Sequence, residues 1–479
     1  MKKFLGFTLI SLGLIACGGT KKAPVNTGLP TETQSETTAE GVVDEGTNAI
    51  ETATDETTDE VSIGEYDIPE VDTNLDDSGL DAETAAKLAE LEKLAQDNPK
   101  DKDALFSLGM EYFNAEIWDE ALKNFELVLE KDKKHKQALV KAGVCSKVLG
   151  QDFEATEYFK RAVDRLKGKD QELIDQVASF IDEAFPITQI TFGDYHNALA
   201  KFSSYDDKIV YQTNRNGNWD IIIADANGEN EINLTEASES DEENPSFNST
   251  ATAILFTSTE NGSGPKESKY RDIHEIDLNE YTQSLVIEDI ADDWAPTYSS
   301  DGSQIAFTSE RNDLRRAKFY TLQSDVYLYD TALGNVSRVS NQNYDTGNPI
   351  FASTSELIVS ASKNGNFDLM KIGTDGTEIS TLTKSIADDG SPSLSGNKEK
   401  IAFASERYGN TEIFVMNADG SNLMKVTTNS ALDGYPSISY NGDRIIFTSK
   451  RGGTYQIYEA NLLGKKNYSK DDLENLLGM

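Results

Sequence analysis

The chain has 479 residues, with 83 acidic against 44 basic side chains and a formal net charge of -39. So acidic a balance excludes nucleic acid and anionic lipid as partners of the whole molecule, because both are bound by basic surfaces that displace counterions. Two cysteines, Cys17 and Cys145, exclude a disulfide framework.

At the head of the chain, Lys2 and Lys3 precede an apolar run over residues 4–16, too short for a permanent membrane span, so residues 1–16 read as an export signal. The run stops at Leu14-Ile15-Ala16-Cys17, followed by Gly18 and Gly19. This resembles the lipobox of bacterial lipoproteins, and the resemblance implies cleavage before Cys17, acylation of the new terminus and attachment to the membrane through a lipid anchor. Several acyl chains, at about 0.8 kcal/mol per buried CH₂, hold durably. Gly18 in place of Asp resembles outer-membrane sorting, which implies an outer-membrane lipoprotein facing the periplasm. Residues 17–80 carry 16 acidic residues against Lys21 and Lys22 and almost no aromatics, a composition that cannot bury a core. They are expected to form a disordered acidic linker spanning roughly 45 Å root-mean-square.

From residue 81 to 185 apolar residues recur at helical spacing, and the segment repeats itself at 34 residues. Gly109 returns as Gly143, Ala121 as Ala155 and Phe125 as Phe159, with Leu105 and Leu139 opening the two copies. Leu108, Gly109, Tyr112, Ala121 and Phe125 stand where the tetratricopeptide repeat carries its packing residues. That resemblance implies a short α-solenoid with a concave groove for a peptide or protein, although Lys133 and Ser146 stand where proline and an aromatic are usual. Residues 170–185 supply a closing helix. Cys145, among Val144, Val148 and Leu149, is expected as a buried thiol, and residues 131–136, with Lys131, Lys133, Lys134, His135 and Lys136, as a solvated basic turn.

After Pro186 the helical period gives way to short alternating runs and Asp-Gly or Asn-Gly turns. Pro245, Pro296, Pro349, Pro392 and Pro436 recur with Phe247, Tyr298, Phe351, Leu394 and Ile438 two residues on, and Ala200 and Phe202 occupy the same columns earlier, making six units. Each continues with a buried strand such as Ile305-Ala306-Phe307, a third strand headed by Asp, Glu or Gln, a hairpin and a fourth strand. Units of this kind cannot cover their own faces and stack about an axis as a six-bladed β-propeller of four-stranded antiparallel blades, over residues 186–464. The sixth unit lacks a fourth strand, whereas Ile187-Thr188-Gln189-Ile190-Thr191 has the form of an orphan one; this segment is expected to pair with the last blade and close the ring.

The columns Pro-x-aromatic-Ser and Asp-Gly-Ser-x-Ile-Ala-Phe-Thr-Ser-Glu-Arg, as over residues 301–311, resemble the TolB-like family of six-bladed propellers. The resemblance implies envelope protein partners, of the OmpA-like or peptidoglycan-associated lipoprotein kind. Residues 465–479 form a tail in which a short capped amphipathic helix, with Leu473, Leu476 and Leu477, is expected to dock on the propeller or on a partner.

No catalytic constellation is legible: His196 and His274 fall in different units, there is no Gly-x-Ser-x-Gly elbow or phosphate loop, and no cofactor or metal is expected. The turn over residues 417–422 reads as a hairpin rather than a calcium loop. Glu242, Asp293, Asp389 and Asp433 recur three residues before the proline column and are expected near the channel mouth, either binding a cation or basic peptide or accepting loop amides. Insertions at 260–271 and 311–324 share one face and carry Lys266, Lys269, Arg271, Arg311, Arg315, Arg316 and Lys318, with Tyr270, Phe319 and Tyr320 interleaved. In an acidic protein, these form a candidate site for an acidic partner surface. The reading is a non-enzymatic envelope scaffold or adaptor, serving envelope integrity or a transport or secretion assembly. Its alternatives are a propeller enzyme on an envelope glycan, for which Asp293, Asp389 and His196 would be needed, and a small-ligand sensor using the channel.

Overall fold

The computed structural model describes residues 80, 82–260, 270–313 and 322–479. Cys17 and the segment ahead of the helices lie outside the described residues.

Among the described residues six helices come first: α1 (Ala82–Asp97), α2 (Lys102–Asn114), α3 (Trp118–Lys131), α4 (Lys136–Val148), α5 (Asp152–Val163) and α6 (Gln171–Ile181). The 34-residue repeat is a repeat of contacts. A Cβ on Gly109 would lie 2.9 Å from the Phe125 ring, and one on Gly143 would lie 2.5 Å from Phe159, so in each pair glycine lets the helices close onto the phenylalanine. The ion pairs repeat too, Lys102 to Asp132 at 3.0 Å and Lys136 to Asp170 at 2.5 Å. Cys145 is fully buried, which pushes its thiol up to about 12. In the basic turn Lys131, Lys133 and Lys134 are exposed as expected, whereas Lys136 is ion-paired and His135 caps α4 with Nδ1 accepting the Ala138 amide at 3.1 Å.

Six four-stranded antiparallel sheets follow. Their innermost strands, taken here as blades 1 to 6, are Asn197–Phe202, Glu242–Phe247, Asp293–Tyr298, Thr346–Ser353, Asp389–Leu394 and Asp433–Ile438. The second strands, such as Ile401-Ala402-Phe403 in blade 5, are buried between neighbouring blades as their unbroken apolar runs require. Closure follows the expected register: Ile187–Gln189 pairs antiparallel with Gln456–Asn461, setting Ile187 opposite Ala460 and Gln189 opposite Tyr458. Ile190 N–H donates to the Ile457 carbonyl at 2.8 Å, and the Thr191 hydroxyl accepts the Ile457 amide at 2.9 Å while donating to Gln456 Oε1.

The tail helix α7 (Lys470–Leu476) has the capping box anticipated, built by Ser469 and Asp472. Its destination corrects the expectation. Leu473 is fully buried in the core of the helical stack rather than on the propeller, and Tyr468 donates to Asp182 at 2.7 Å. The apolar stripe of so short a helix reveals that it docks, not where.

Candidate functional site

Strand register fixes two ends of the ring. Asp389 pairs with Ser405, so the start of each innermost strand and the end of the second strand share one end, where the helical stack sits on blades 5 and 6. There Tyr408 packs between Trp118 and Phe180, at 5.8 and 5.0 Å between ring centroids. Glu116 accepts from the Ser385 hydroxyl at 2.7 Å and the Ile386 amide at 3.2 Å. Glu183 accepts the Thr428 amide at 2.8 Å, and the Ser179 carbonyl accepts the Thr428 hydroxyl.

The four acidic residues expected at the channel mouth are fully buried instead, at the head of their innermost strands. Asp293, Asp389 and Asp433 each hold an arginine 18 residues on: Arg311, Arg407 and Arg451 reach them with Nη2 at 2.7 Å. The same arginines donate through Nε to Ser309, Ser405 and Ser449 at 2.9–3.0 Å. Each guanidinium also lies over aromatic rings, Arg407 over Phe414 at 5.2 Å and Arg451 over Tyr458 at 4.9 Å. Arg451 extends Nη1 to Glu183 at 3.1 Å and Arg407 points Nη1 at Glu116 at 4.0 Å, so the clamp that braces a blade also seats the helices. In blade 3 the corresponding nitrogen faces Asp289 at 3.5 Å. Burial drives the Asp293 carboxyl up to about 7 against the pull of Arg311. Glu242 has no such arginine; it accepts from the Ser238 and Ser258 hydroxyls at 2.8 and 3.1 Å, and burial lifts it to about 7. The arginine column is visible in the sequence, since Ser-x-Arg recurs at 309–311, 405–407 and 449–451, but nothing in its spacing shows that it meets the acids. Where the acid is absent the cation turns elsewhere: Arg215 to Glu231 at 2.7 Å, Lys363 to Glu378 at 2.6 Å.

Of the residues expected to meet an acidic partner, Lys266, Lys269, Arg315, Arg316, Lys318, Phe319 and Tyr320 lie outside the described residues. The described flanks of both insertions, the ends of the second and the starts of the third strands in blades 2 and 3, lie at the helix-bearing end. Arg271 and Arg311 correct the expectation of free surface cations. Arg271 is buried, donates through Nε to Asp292 at 2.8 Å, pairs with Glu243 and lies over the Trp294 ring. Arg311 holds Asp293. Each cation has acids from its own strand entry within reach, which a linear count of loop charges hides.

His196 accepts the Tyr455 amide at Nδ1, 3.0 Å, and so supports the seam between blades 6 and 1. Among the described residues, no group of three or more His, Cys, Asp or Glu side chains is arranged to hold a metal ion.

At the opposite end the channel widens into a cavity of about 460 Å³ between all six innermost strands. Each of these strands is kinked, with two residues unopposed in the pairing, such as between Gly390 and Ser393. The kink sets Leu199, Asn244, Ala295, Asn348, Ser391 and Tyr435 in left-handed conformations, φ 49–57°, and all six line the cavity. Such residues cost roughly 1–3 kcal/mol each and persist where surroundings fix them. Here the neighbouring blade does so: the Leu199, Asn244 and Asn348 amides donate to Thr448, Gln212 and Thr308 at 2.9–3.0 Å.

Residues 312–467 match the family model described as the TolB beta propeller domain. No curated protein matches the chain. Among solved structures, the chain is similar to TolB from Acinetobacter baumannii, with 16% identity and TM-score 0.42 over 65% of this chain and 70% of that one. A putative TolB from Agrobacterium tumefaciens gives 13% identity and TM-score 0.44 over 57% and 96%. Oligogalacturonate lyase from Vibrio parahaemolyticus gives 12% identity and TM-score 0.42 over 58% and 93%. With the matched segment spanning the last blades of a ring that repeats one four-stranded pattern from residue 187 onward, the propeller of this chain is TolB-like.

Proposed function

We propose that this protein is a cell-envelope lipoprotein, anchored through Cys17 in the outer membrane and facing the periplasm, that works as a binding scaffold for other envelope proteins. The TolB-like propeller supports an envelope role, and the signal and lipobox pattern of residues 1–19 supports the anchor. No helix among the described residues is long and apolar enough to cross a membrane. The observation that carries the scaffold reading is the junction of Glu116, Glu183 and Tyr408 with blades 4 to 6, which makes the helical stack and the ring one platform. Among the described residues the hydrogen bonds and ring contacts of the helices reach blades 4 to 6, while on the strand entries of blades 1 and 3 at that end Phe192 and Ile290 stand 65% and 79% exposed. Exposed apolar side chains beside a rigid scaffold are a common place for a partner.

The test is photo-crosslinking in intact cells with probes at Phe192 and Ile290, and at Leu333 on the opposite end. One discrete protein captured from the first two positions and not from Leu333 is the expected result. No capture at Phe192 or Ile290, or equal capture at all three, overturns the reading.

A further inference from the structure

The cavity at the open end of the channel is lined by two lysines, Lys201 and Lys398, and by one carboxylate, Asp206, among the described residues. In a protein of net charge -39 this is a reversal of sign. Asp206 offsets one of the two positive charges, its oxygens accepting the Tyr440 amide at 2.8 and 2.9 Å, and the lining keeps a formal excess of one positive charge.

Lys201 stands in a column that mostly carries a hydroxyl, and Lys398 in a turn position that carries glycine in two blades and Asp206 and Ala251 in two others. Lys201 occupies the column that follows the proline position, filled by Ser246, Thr297, Ile350, Ser393 and Ser437 in the other blades. There hydroxyls tie one blade to the next: Ser393 accepts the Ile438 amide and Ser437 the Phe202 amide, both at 3.1 Å. An ammonium has three donors and no acceptor, so Lys201 cannot make that bond to blade 2. Its ammonium has no hydrogen-bond or ion-pair partner among the described residues, and burial alone pulls it down to about 8. Lys398 sits in the tight turn between the first two strands of blade 5 with φ 64°, where blades 3 and 6 place Gly302 and Gly442 at φ 72° and 71°. A lysine in that conformation costs roughly 1 kcal/mol that glycine avoids. Its ammonium donates once, to the Phe351 carbonyl at 3.1 Å, which leaves donors free.

We propose that this cavity binds a compact oxyanion, a carboxylate or phosphate group, held between Lys201 and Lys398. Lysine suits such a group as a point charge on a flexible stem, and the concave, partly desolvated site strengthens the pairing. The oxyanion belongs either to a free small molecule or to an acidic segment inserted from a partner. This site lies at the end opposite the proposed scaffold surface and does not depend on it.

The test replaces each lysine by a residue that other blades carry in that column, Lys201→Ser with Lys398→Gly, in the full chain. Calorimetric titration at low salt uses citrate, inorganic phosphate and a capped tetraglutamate peptide. The native protein binds at least one probe, and the double variant binds it at least tenfold more weakly while melting no lower than the native protein. Binding of citrate or phosphate alone assigns a free oxyanion, binding of the peptide alone an acidic segment, and binding of both the shared chemistry. No binding of any probe by the native protein at millimolar concentration, or equal affinity in the double variant, overturns the proposal.

Discussion

Glu310 shows how much a single buried carboxyl governs here. It is nearly buried, its Oε2 has no hydrogen-bond partner, and burial, reinforced by Asp292, lifts it to about 9. In the unfolded chain the same group titrates at roughly 4. Between those values the unfolded state has lost a proton that the folded state keeps, so the folded state loses stability as pH rises through that window and keeps its full value below it. Glu310→Gln, which removes the proton cost while preserving shape, is therefore expected to raise the melting temperature at pH 8 and change it little at pH 4. Thermal unfolding followed by circular dichroism at both values checks this. The acids that hold arginines behave differently: Asp389 and Asp433 are also raised by burial, but Arg407 and Arg451 pull back. Removing one partner of such a pair leaves a buried charge alone, and the cost lies in that.

At the level of elements, the clearest dependence is of helix on helix. Replacing a glycine within a helix by alanine ordinarily stabilises by about 1 kcal/mol. At Gly143 the new methyl would stand 2.5 Å from the Phe159 ring, which is held in the core of the stack. Gly143→Ala is expected to reverse the sign and destabilise by about 1–3 kcal/mol, measured by urea unfolding. The same spacing explains what the sequence revealed and what it hid. Gly109 and Gly143, the proline column and the orphan strand at residues 187–191 are periodic features, and period translates into stacking, so helix pairs, blade count and seam register were all legible. The pairing of Asp389 with Arg407 was not, because it joins two columns that each look like solvated polar positions when read singly. Nor were the channel lysines, since Lys201 and Lys398 are distant in the chain and line one cavity only because six strands surround one axis.

The molecule as a whole is tied twice: the helices bear on blades 5 and 6 through Glu116 and Glu183, and the chain returns after the last blade to bury Leu473 among those helices. Two modules so joined are expected to unfold in one calorimetric transition. Glu116→Lys combined with Glu183→Lys, which sets cations against Arg407 and Arg451, is expected to split it into two, and a single unchanged transition in that variant would show the junction to be energetically idle. The seam carries a last consequence. Its two halves, residues 187–191 and 456–461, lie at opposite limits of the ring's sequence, so a chain growing from the ribosome cannot shut the circle until nearly everything has been made. Any product stopped short of residue 456 keeps a bare strand edge, open to pairing with other chains and to proteolysis. Circular closure thereby acts as a proofreading step for length, disfavouring every product that lacks residues 456–461.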